Sequence, residues 1–376
     1  MRILHTSDWH LGQFFINKSR ADEHQKFILW LLEQVEKQTI DAVIIAGDVF
    51  DTGTPPSYAR ELYNQFVIGM HELGCQLVIL AGNHDSVSTL NESKNILAQL
   101  NTQVVASANP KSEEQVLTIK NRQGEVGAIV CAIPYIRPRD IVKSQADESG
   151  GAKQQALGQA IADHYQQVFS YAKVKQQQLD KPVAIIATGH LTAMGVKSSE
   201  SVRDIYIGHL EAFHASSFPP ADYIALGHIH RPQKVTKSDH IRYCGSPIAL
   251  SFDEAKTQKN IVVVEFEHGE FSNVELSNIP CVQPLAMVKT NLESLSDDIA
   301  AVIKDNEASG ELDSTNEKIW LDIEIESAEY LQDLTARIEQ IIKELPVEVL
   351  LVRRSKKSRQ QMPSQQEKIT LSELSV

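Results

Sequence analysis

Gly47-Asp48-Val49-Phe50-Asp51 is the stretch whose reading decides the fold of this chain. It follows Asp-Ala-Val-Ile-Ile-Ala at 41–46, a continuous apolar, β-branched run of the kind buried on both faces of a parallel sheet, and it places two carboxylates where that strand ends. Four other segments have the same build, a hydrophobic run that stops on a polar cluster: Ser7-Asp8-Trp9-His10, Gly82-Asn83-His84-Asp85, Gly189-His190 and Gly227-His228-Ile229-His230. Open α/β sheets bind ligands in the crevice beyond the carboxyl ends of their strands. The five clusters are therefore expected to converge at the top of a single sheet.

Working outward, 21–38 carries Phe27, Leu31, Leu32 and Val35 at helical spacing. A second amphipathic helix spans 57–73, entered after Pro55-Pro56 with Ser57 as its cap and with Leu62, Phe66 and Met70 four residues apart. Those three suit packing onto this chain's own sheet. Adding strands at 2–6 and 76–81 makes the opening third β-α-β-α-β. Shorter strands at 116–120 and 126–133 predict antiparallel pairing at the sheet's margin. The polar, glycine-punctuated stretch 143–152 reads as a loop before a helix over 154–179. Buried runs at 183–187 and 223–226 each lead to Gly-His, and 241–244 and 261–266 close the domain.

A boundary falls near Asn278-Ile279-Pro280. The division predicted is 1–278 for the domain with the polar clusters, 279–354 for a small α+β unit and 355–376 for a basic, polar tail leading to a partner-binding segment. The small unit alternates strands at 285–290, 318–325 and 347–352 with helices at 295–304 and 328–343. It holds no histidine, so its role is contact more than chemistry. Thr370-Leu371-Ser372-Glu373 fits a capping box, which leaves open whether the natural chain continues into another helix.

A chain of 376 residues is long for one core, which agrees with two domains. Its four cysteines are far apart and form no Cys-x-x-Cys pair, the pattern of reduced thiols in a cytosolic protein. Asp8 comes too soon for a signal peptide's apolar region, and no run approaches the roughly 18 apolar residues of a membrane span. A net charge of −13 argues against holding nucleic acid by bulk electrostatics. Bound cations would offset several carboxylates, however, and 353–359 (Arg-Arg-Ser-Lys-Lys-Ser-Arg) is a local basic run.

Taken singly, each polar residue has an ordinary reading: Asp8 as a loop cap, Asn83 as a turn, any one histidine as a satisfied side chain. The joint pattern is selective. Asp, Asn and His offer oxygen and neutral nitrogen ligands without thiolate, which suits manganese, iron or zinc better than copper. A pure magnesium or calcium site would not need several imidazoles. Asp8, His10, Asp48, Asn83, His190, His228 and His230 are seven candidate ligands. With one carboxylate able to bridge, two metals roughly 3.5–4 Å apart are the natural solution.

This ordered set resembles that of the calcineurin-like metallophosphoesterase superfamily, with motifs spanning residues 5–250. Ser7-Asp8-Trp9-His10-Leu11-Gly12, Gly47-Asp48-Val49-Phe50-Asp51-Thr52-Gly53 and Gly245-Ser246-Pro247-Ile248 resemble its bacterial DNA-end nucleases, a likeness that covers nearly all of the chain. The resemblance implies an α/β sheet sandwich flanked by helices, with the small C-terminal domain capping the cleft. It implies two divalent ions, manganese first, with Asp8, His10 and His230 on one, Asn83, His190 and His228 on the other, and Asp48 bridging. His84 would contact the scissile phosphate and protonate the leaving oxygen, with Asp51 orienting it. Phosphatase relatives carry an arginine and a glutamate where this chain has Thr52 and Asp85. The arginine that grips a phosphate monoester is thus missing, and a diester is favoured. The same resemblance implies cleavage of double-strand DNA ends, hairpins and single strands, a coiled-coil ATPase partner, a homodimer within a heterotetramer, whose contact is the other use open to Leu62, Phe66 and Met70, and a cytoplasmic, nucleoid-associated location. The alternatives are a phosphodiesterase acting on a small nucleotide and a non-catalytic scaffold for the ATPase partner. Arg137, Arg139, Lys197, Arg203 and Arg231 near the motif loops read as solvated surface charges.

Overall fold

The computed structural model describes residues 1–109, 111–141, 150–203, 205, 213–309, 318–326 and 334–355, and the chain divides into two compact units, Met1–Val282 and Gln283–Val376. Residues 142–149 of the expected loop, the basic residues 356–359 and the capping box at 370–373 lie outside the described residues.

The first unit opens with β1 (Arg2–Thr6), a small hairpin of β2 (Phe14–Phe15) and β3 (Lys18–Ser19), α1 (Ala21–Lys37), β4 (Ala42–Ala46), α2 (Ser57–Glu72), β5 (Gln76–Leu80), the short α3 (Val87–Asn91) and α4 (Lys94–Gln99), and β6 (Thr102–Val105). It continues with β7 (Val116–Lys120), β8 (Val126–Cys131), α5 (Pro138–Ile141), α6 (Gly150–Gln177), β9 (Ala184–His190), β10 (Tyr223–Gly227), β11 (Gln233–Lys234), β12 (Ile241–Tyr243), β13 (Asn260–Glu267) and β14 (Glu270–Asn278). These strands make two six-stranded sheets, ordered β14-β13-β1-β4-β5-β6 and β11-β12-β10-β9-β8-β7. The single sheet expected from the strand ends is corrected to two, and the sheet sandwich implied by the resemblance is the observed architecture. Each has a parallel centre; the first carries antiparallel strands at the β13–β14 margin, and the second at both margins.

Strand periodicity explains how the sheets stack. Val43 and Ile45 of β4 face a core shared with Phe27 and Leu31 of α1 and Phe66 of α2. Ala42 and Ile44 face the other way, into a layer that also holds Ile186 of β9 and Tyr223 and Ala225 of β10. On the far side Ile185 and Ala187 of β9 meet Ile161, Tyr165 and Val168 of α6. A strand with one apolar face on a helix layer and the other on a second sheet must read as an unbroken hydrophobic run, as 42–46 does. Each fully buried Val or Ile contributes about 1.5–3 kcal/mol.

Helix α1 has Asp22 and Glu23 in its first turn and Lys37 in its last, the charge order that suits the helix dipole. Pro56, not Ser57, is the N-cap of α2, and no side chain caps it; Ser57 is already helical. Leu62, Phe66 and Met70 are buried in this chain's own core, which assigns them to packing. The four cysteines form no disulfide. No helix among the described residues is long and apolar enough to cross a membrane.

The second unit contains β15 (Leu285–Thr290), α7 (Leu295–Ser309), β16 (Ile319–Ile325), α8 (Leu334–Ile342) and β17 (Val347–Arg354). Its three strands run parallel, the pairing that helical crossovers produce, so the unit is α/β rather than α+β. Leu295, Ile299, Leu321, Ile323 and Ile338 form its core. Arg353, first residue of the basic run, lies in β17 and pairs with the buried Asp322.

Candidate metal centre

All five polar clusters leave the carboxyl ends of parallel strands, three from the first sheet (after β1, β4 and β5) and two from the second (after β9 and β10). The loop after β1 is pinned by Trp9, which is fully buried edge-on against Phe27 and Phe66 and donates its indole N–H to Thr6 Oγ1 at 2.9 Å. His24 Nε2–H donates to the Trp9 carbonyl at 2.9 Å. With Trp9 held between them, Asp8 and His10 face the opposite way. The loops after β1 and β4 are joined by main-chain bonds from Asp8 N to Gly47 O (3.0 Å), His10 N to Asp48 O (3.1 Å) and Asp51 N to Leu11 O (3.1 Å).

Strain marks the same loops. Asp8 (φ 54°), His10 (φ 48°), Asp48 (φ 50°) and His228 (φ 92°) adopt left-handed backbone, which costs a non-glycine residue about 1–3 kcal/mol. Surrounding bonds hold them there: the His228 N–H donates to both Asp8 carboxylate oxygens (2.9 and 3.1 Å), and the His84 N–H donates to Asp48 Oδ1 (2.8 Å). Glycine is required at two of the turns. A Cβ on Gly82 would lie 2.1 Å from Asp48 Oδ1, and one on Gly47 would lie 2.2 Å from His190 Nδ1.

The ligand atoms of Asp8, His10 and His230 lie within 4.8 Å of one another, and so do those of Asp48, His190 and His228. Asn83 joins the latter group, with Oδ1 3.0 Å from His190 Nε2 and 3.0 Å from His228 Nδ1. Asp48 Oδ2 stands between the groups, 3.1 Å from His190 Nε2 and 3.7 Å from His10 Nε2.

His190 shows that this set suits a cation. Its Nδ1–H donates to the Ala46 carbonyl at 2.9 Å, so Nε2, once deprotonated, is a lone pair directed at a carboxylate oxygen and an amide oxygen. Three acceptors facing one another need a positive centre. Without an ion, burial disfavours the charged imidazole, yet the Asp48 carboxylate outweighs it and raises His190 to about 9. Burial alone would raise Asp48; the surrounding His190, His10 and His84 hold it well below the carboxylate range. The buried Nε2 atoms of His10 and His228 have no hydrogen-bond partner. Oxygen and imidazole ligands with no thiolate match a pair of borderline divalent ions.

His84 lies beside both groups, its ring 4.6 Å from that of His10, with Nδ1–H donating to the Asp51 main-chain carbonyl at 2.7 Å. Burial lowers its pKa against the opposing pull of Asp48. The expected role of Asp51 is corrected here. Its carboxylate bonds His10 Nδ1 at 3.1 Å, so its side chain orients His10 while only its backbone holds His84.

Two arginines read as surface charges are also corrected. Arg137 is half-buried over the Tyr135 ring and donates to Asp85 O at 3.0 Å, and Arg231 is paired with Asp253 at 2.7 Å. Arg139, Lys197 and Arg203 are exposed, as expected. Several supporting roles were not announced by spacing, that of Asp85 at the end of its cluster among them. Asp85 is buried and accepts N–H bonds from Gly82, Val49 and Phe50 at 2.8–3.1 Å, clamping two site loops together. Ser201, Glu254 and Lys259 gather at His230 from the 199–201 and 254–259 stretches, with Ser199 bonded to Glu254, and no local spacing announces them.

Comparison with known proteins agrees with this geometry. Residues 1–232 match the calcineurin-like phosphoesterase family, and residues 281–376 match a family described as the type 5 capsule protein repressor C-terminal domain. The chain is 54% identical over its full length to the SbcD subunit of the SbcCD nuclease of Escherichia coli K12, covering 90% of that protein. It is 32% identical to the SbcD subunit of Rhodobacter capsulatus over 77% of this chain and 71% of that one. Against the SbcD subunit of Bacillus subtilis the identity is 30%, over 88% of this chain and 80% of the relative. Strand-end ligands, two facing sheets and full-length similarity agree: the chain belongs to the calcineurin-like phosphoesterases, in the family of the SbcD subunits of SbcCD nucleases.

Proposed function

We propose that this chain is a two-metal DNA phosphodiesterase, acting on double-strand ends as an exonuclease and on hairpins and single strands as an endonuclease, together with an SbcC-type ATPase. The observation that carries this reading is the position of Asp48 Oδ2 between two groups of ligand atoms drawn from both sheets. Asp8, His10 and His230 would hold one ion, Asn83, His190 and His228 the other, and Asp48 both. The donor set suits manganese, iron or zinc, and manganese is the ion proposed. When bound, the ions supply Lewis acidity at the phosphoryl oxygens and activate the attacking water.

The chain's own residues do the rest. His84 donates its Nδ1 proton to the Asp51 carbonyl, which leaves Nε2 to serve the leaving 3′ oxygen. Its lowered pKa makes the imidazolium a stronger acid, and a phosphate beside it favours loading that proton. Asp51 keeps His10 turned toward the site, and Trp9 keeps the loop from relaxing. The relatives' shared name, nuclease SbcCD, supports DNA as substrate and the ATPase as partner. A partner that grips the duplex also answers the chain's net charge of −13. The proposed assembly is a homodimer of this chain within a heterotetramer, located at the nucleoid in the cytoplasm.

The test is cleavage of an end-labelled DNA hairpin and of a small phosphodiester, with manganese, by the chain alone and with its ATPase partner. Cleavage of the hairpin is expected. Good turnover of the small ester with no cleavage of DNA under either condition would sink the nuclease reading.

A further inference from the structure

We infer that Glu254, through Ser201, is a positioning residue for His230, and that Lys259 makes its buried charge tolerable. Glu254 is fully buried, and Lys259 is 7% exposed. Ser201 Oγ lies 2.6 Å from His230 Nδ1 and 2.5 Å from Glu254 Oε1. A hydroxyl oxygen approaches a carboxylate oxygen that closely only with its proton between them, so Ser201 donates to Glu254 and accepts from His230 Nδ1–H. The relay fixes the proton on Nδ1 and leaves Nε2 as the lone pair available to the group formed with Asp8 and His10.

The carboxylate has no freedom to turn away. Its Oε1 also accepts from Ser199 (2.7 Å) and Ser251 (3.1 Å), and its Oε2 accepts from Lys259 Nζ (2.6 Å) and Leu250 N (3.2 Å). Lys259 uses its other protons on the His230 carbonyl (3.0 Å) and Ser246 Oγ (2.8 Å). His230 is thereby held at its ring and at its backbone by one charge pair. His10 has Asp51 for the same purpose, and His190 has the Ala46 carbonyl. The Glu254 relay gives His230 its equivalent and completes the outer support of the first ion's two histidines.

The inference rests on the two-metal reading, and its test separates the two. Manganese titrations of the metal-free full-length chain, followed by calorimetry, should resolve two sites in the native protein. Glu254→Met with Lys259→Met removes both charges together and leaves none buried alone. That double variant should bind one of the two ions about 10–100-fold more weakly. Glu254→Gln with Lys259→Met also lacks the charge pair but keeps an oxygen for Ser201, and it should recover most of that affinity. Imidazole nitrogen shifts of the metal-free proteins should show His230 protonated at Nδ1 in the native chain and the glutamine variant, and mixed in the methionine variant. Equal affinities and tautomers in the two double variants would overturn the inference and assign the pair to folding alone. Fewer than two ions on the native chain would overturn the two-metal reading, and the inference with it.

Discussion

Replacing His84 with Gln separates acid catalysis from metal binding. The substitution removes the imidazole and its bond to the Asp51 carbonyl, worth about 1 kcal/mol, but keeps the main-chain N–H that Asp48 accepts. His84 is only half-buried, so the fold should survive with a small loss of stability. Neither Asp8, His10 and His230 nor Asp48, Asn83, His190 and His228 is touched, so two manganese ions per chain should remain. Loss of a positioned proton donor lowers the rate by 10²–10⁴-fold, roughly 3–5 kcal/mol of barrier. Cleavage of a DNA hairpin measures that loss directly, and elemental analysis of the dialysed protein counts the metals. A bis-nitrophenyl phosphate sharpens the assay, because its leaving group departs without a proton. There the defect should shrink to below about tenfold. Loss of an ion from the variant would refute the assignment, since His84 also stands within ligand reach of His10 and Asp48. An equal defect on both esters would refute it as well.

Asp51→Asn should weaken manganese binding about tenfold, because its carboxylate holds His10 Nδ1; an unchanged affinity with slower cleavage would return Asp51 to a role beside His84. Gly82→Ala places a Cβ 2.1 Å from Asp48 Oδ1 and 2.4 Å from Asp48 N, so calorimetric melting should show a loss of at least about 1–3 kcal/mol together with lost metal, and a native melting curve would contradict the geometry. His5 and His24 are buried, and that burial lowers each to about 3. Below pH 6.5 the unfolded chain takes up protons that the folded chain refuses until about pH 3, so metal-free stability should fall by about 1.4 kcal/mol per pH unit for each histidine across that window. His24→Gln should remove one such increment from the slope in urea unfolding at pH 6.5 and 4.5, and an unchanged slope would show that His24 is already protonated in the fold.

The candidate site was legible because its residues are attached to strand ends. A run such as 42–46 announces a buried parallel strand, and the polar residues that stop it lie at the one edge where such sheets bind ligands. No partner distances were needed to bring seven ligand candidates to a common edge. The expectation of one sheet failed because strand periodicity shows that both faces are buried without showing what covers them. For β4 one cover is α1 and α2, and the other is a second sheet carrying His190 and His228. Ser57 was misread for a similar reason: a cap depends on where the backbone turns, and Pro56 turns it one residue earlier.

By itself, then, the sequence determined which residues end the strands, that they offer oxygen and imidazole donors, and that the chain divides before a small C-terminal unit. Only the tertiary structure decided what supports each ligand. Asp51 serves His10 through its side chain and His84 through its backbone, a distinction of a few ångströms that spacing does not encode. Asp85 clamps two loops, and Glu254 reaches His230 from a separate segment. Ligands sit where local hydrophobic patterning ends and can be read along the chain. Their hydrogen-bond partners come from segments made adjacent only by folding, and so they appear only when the two sheets close on each other.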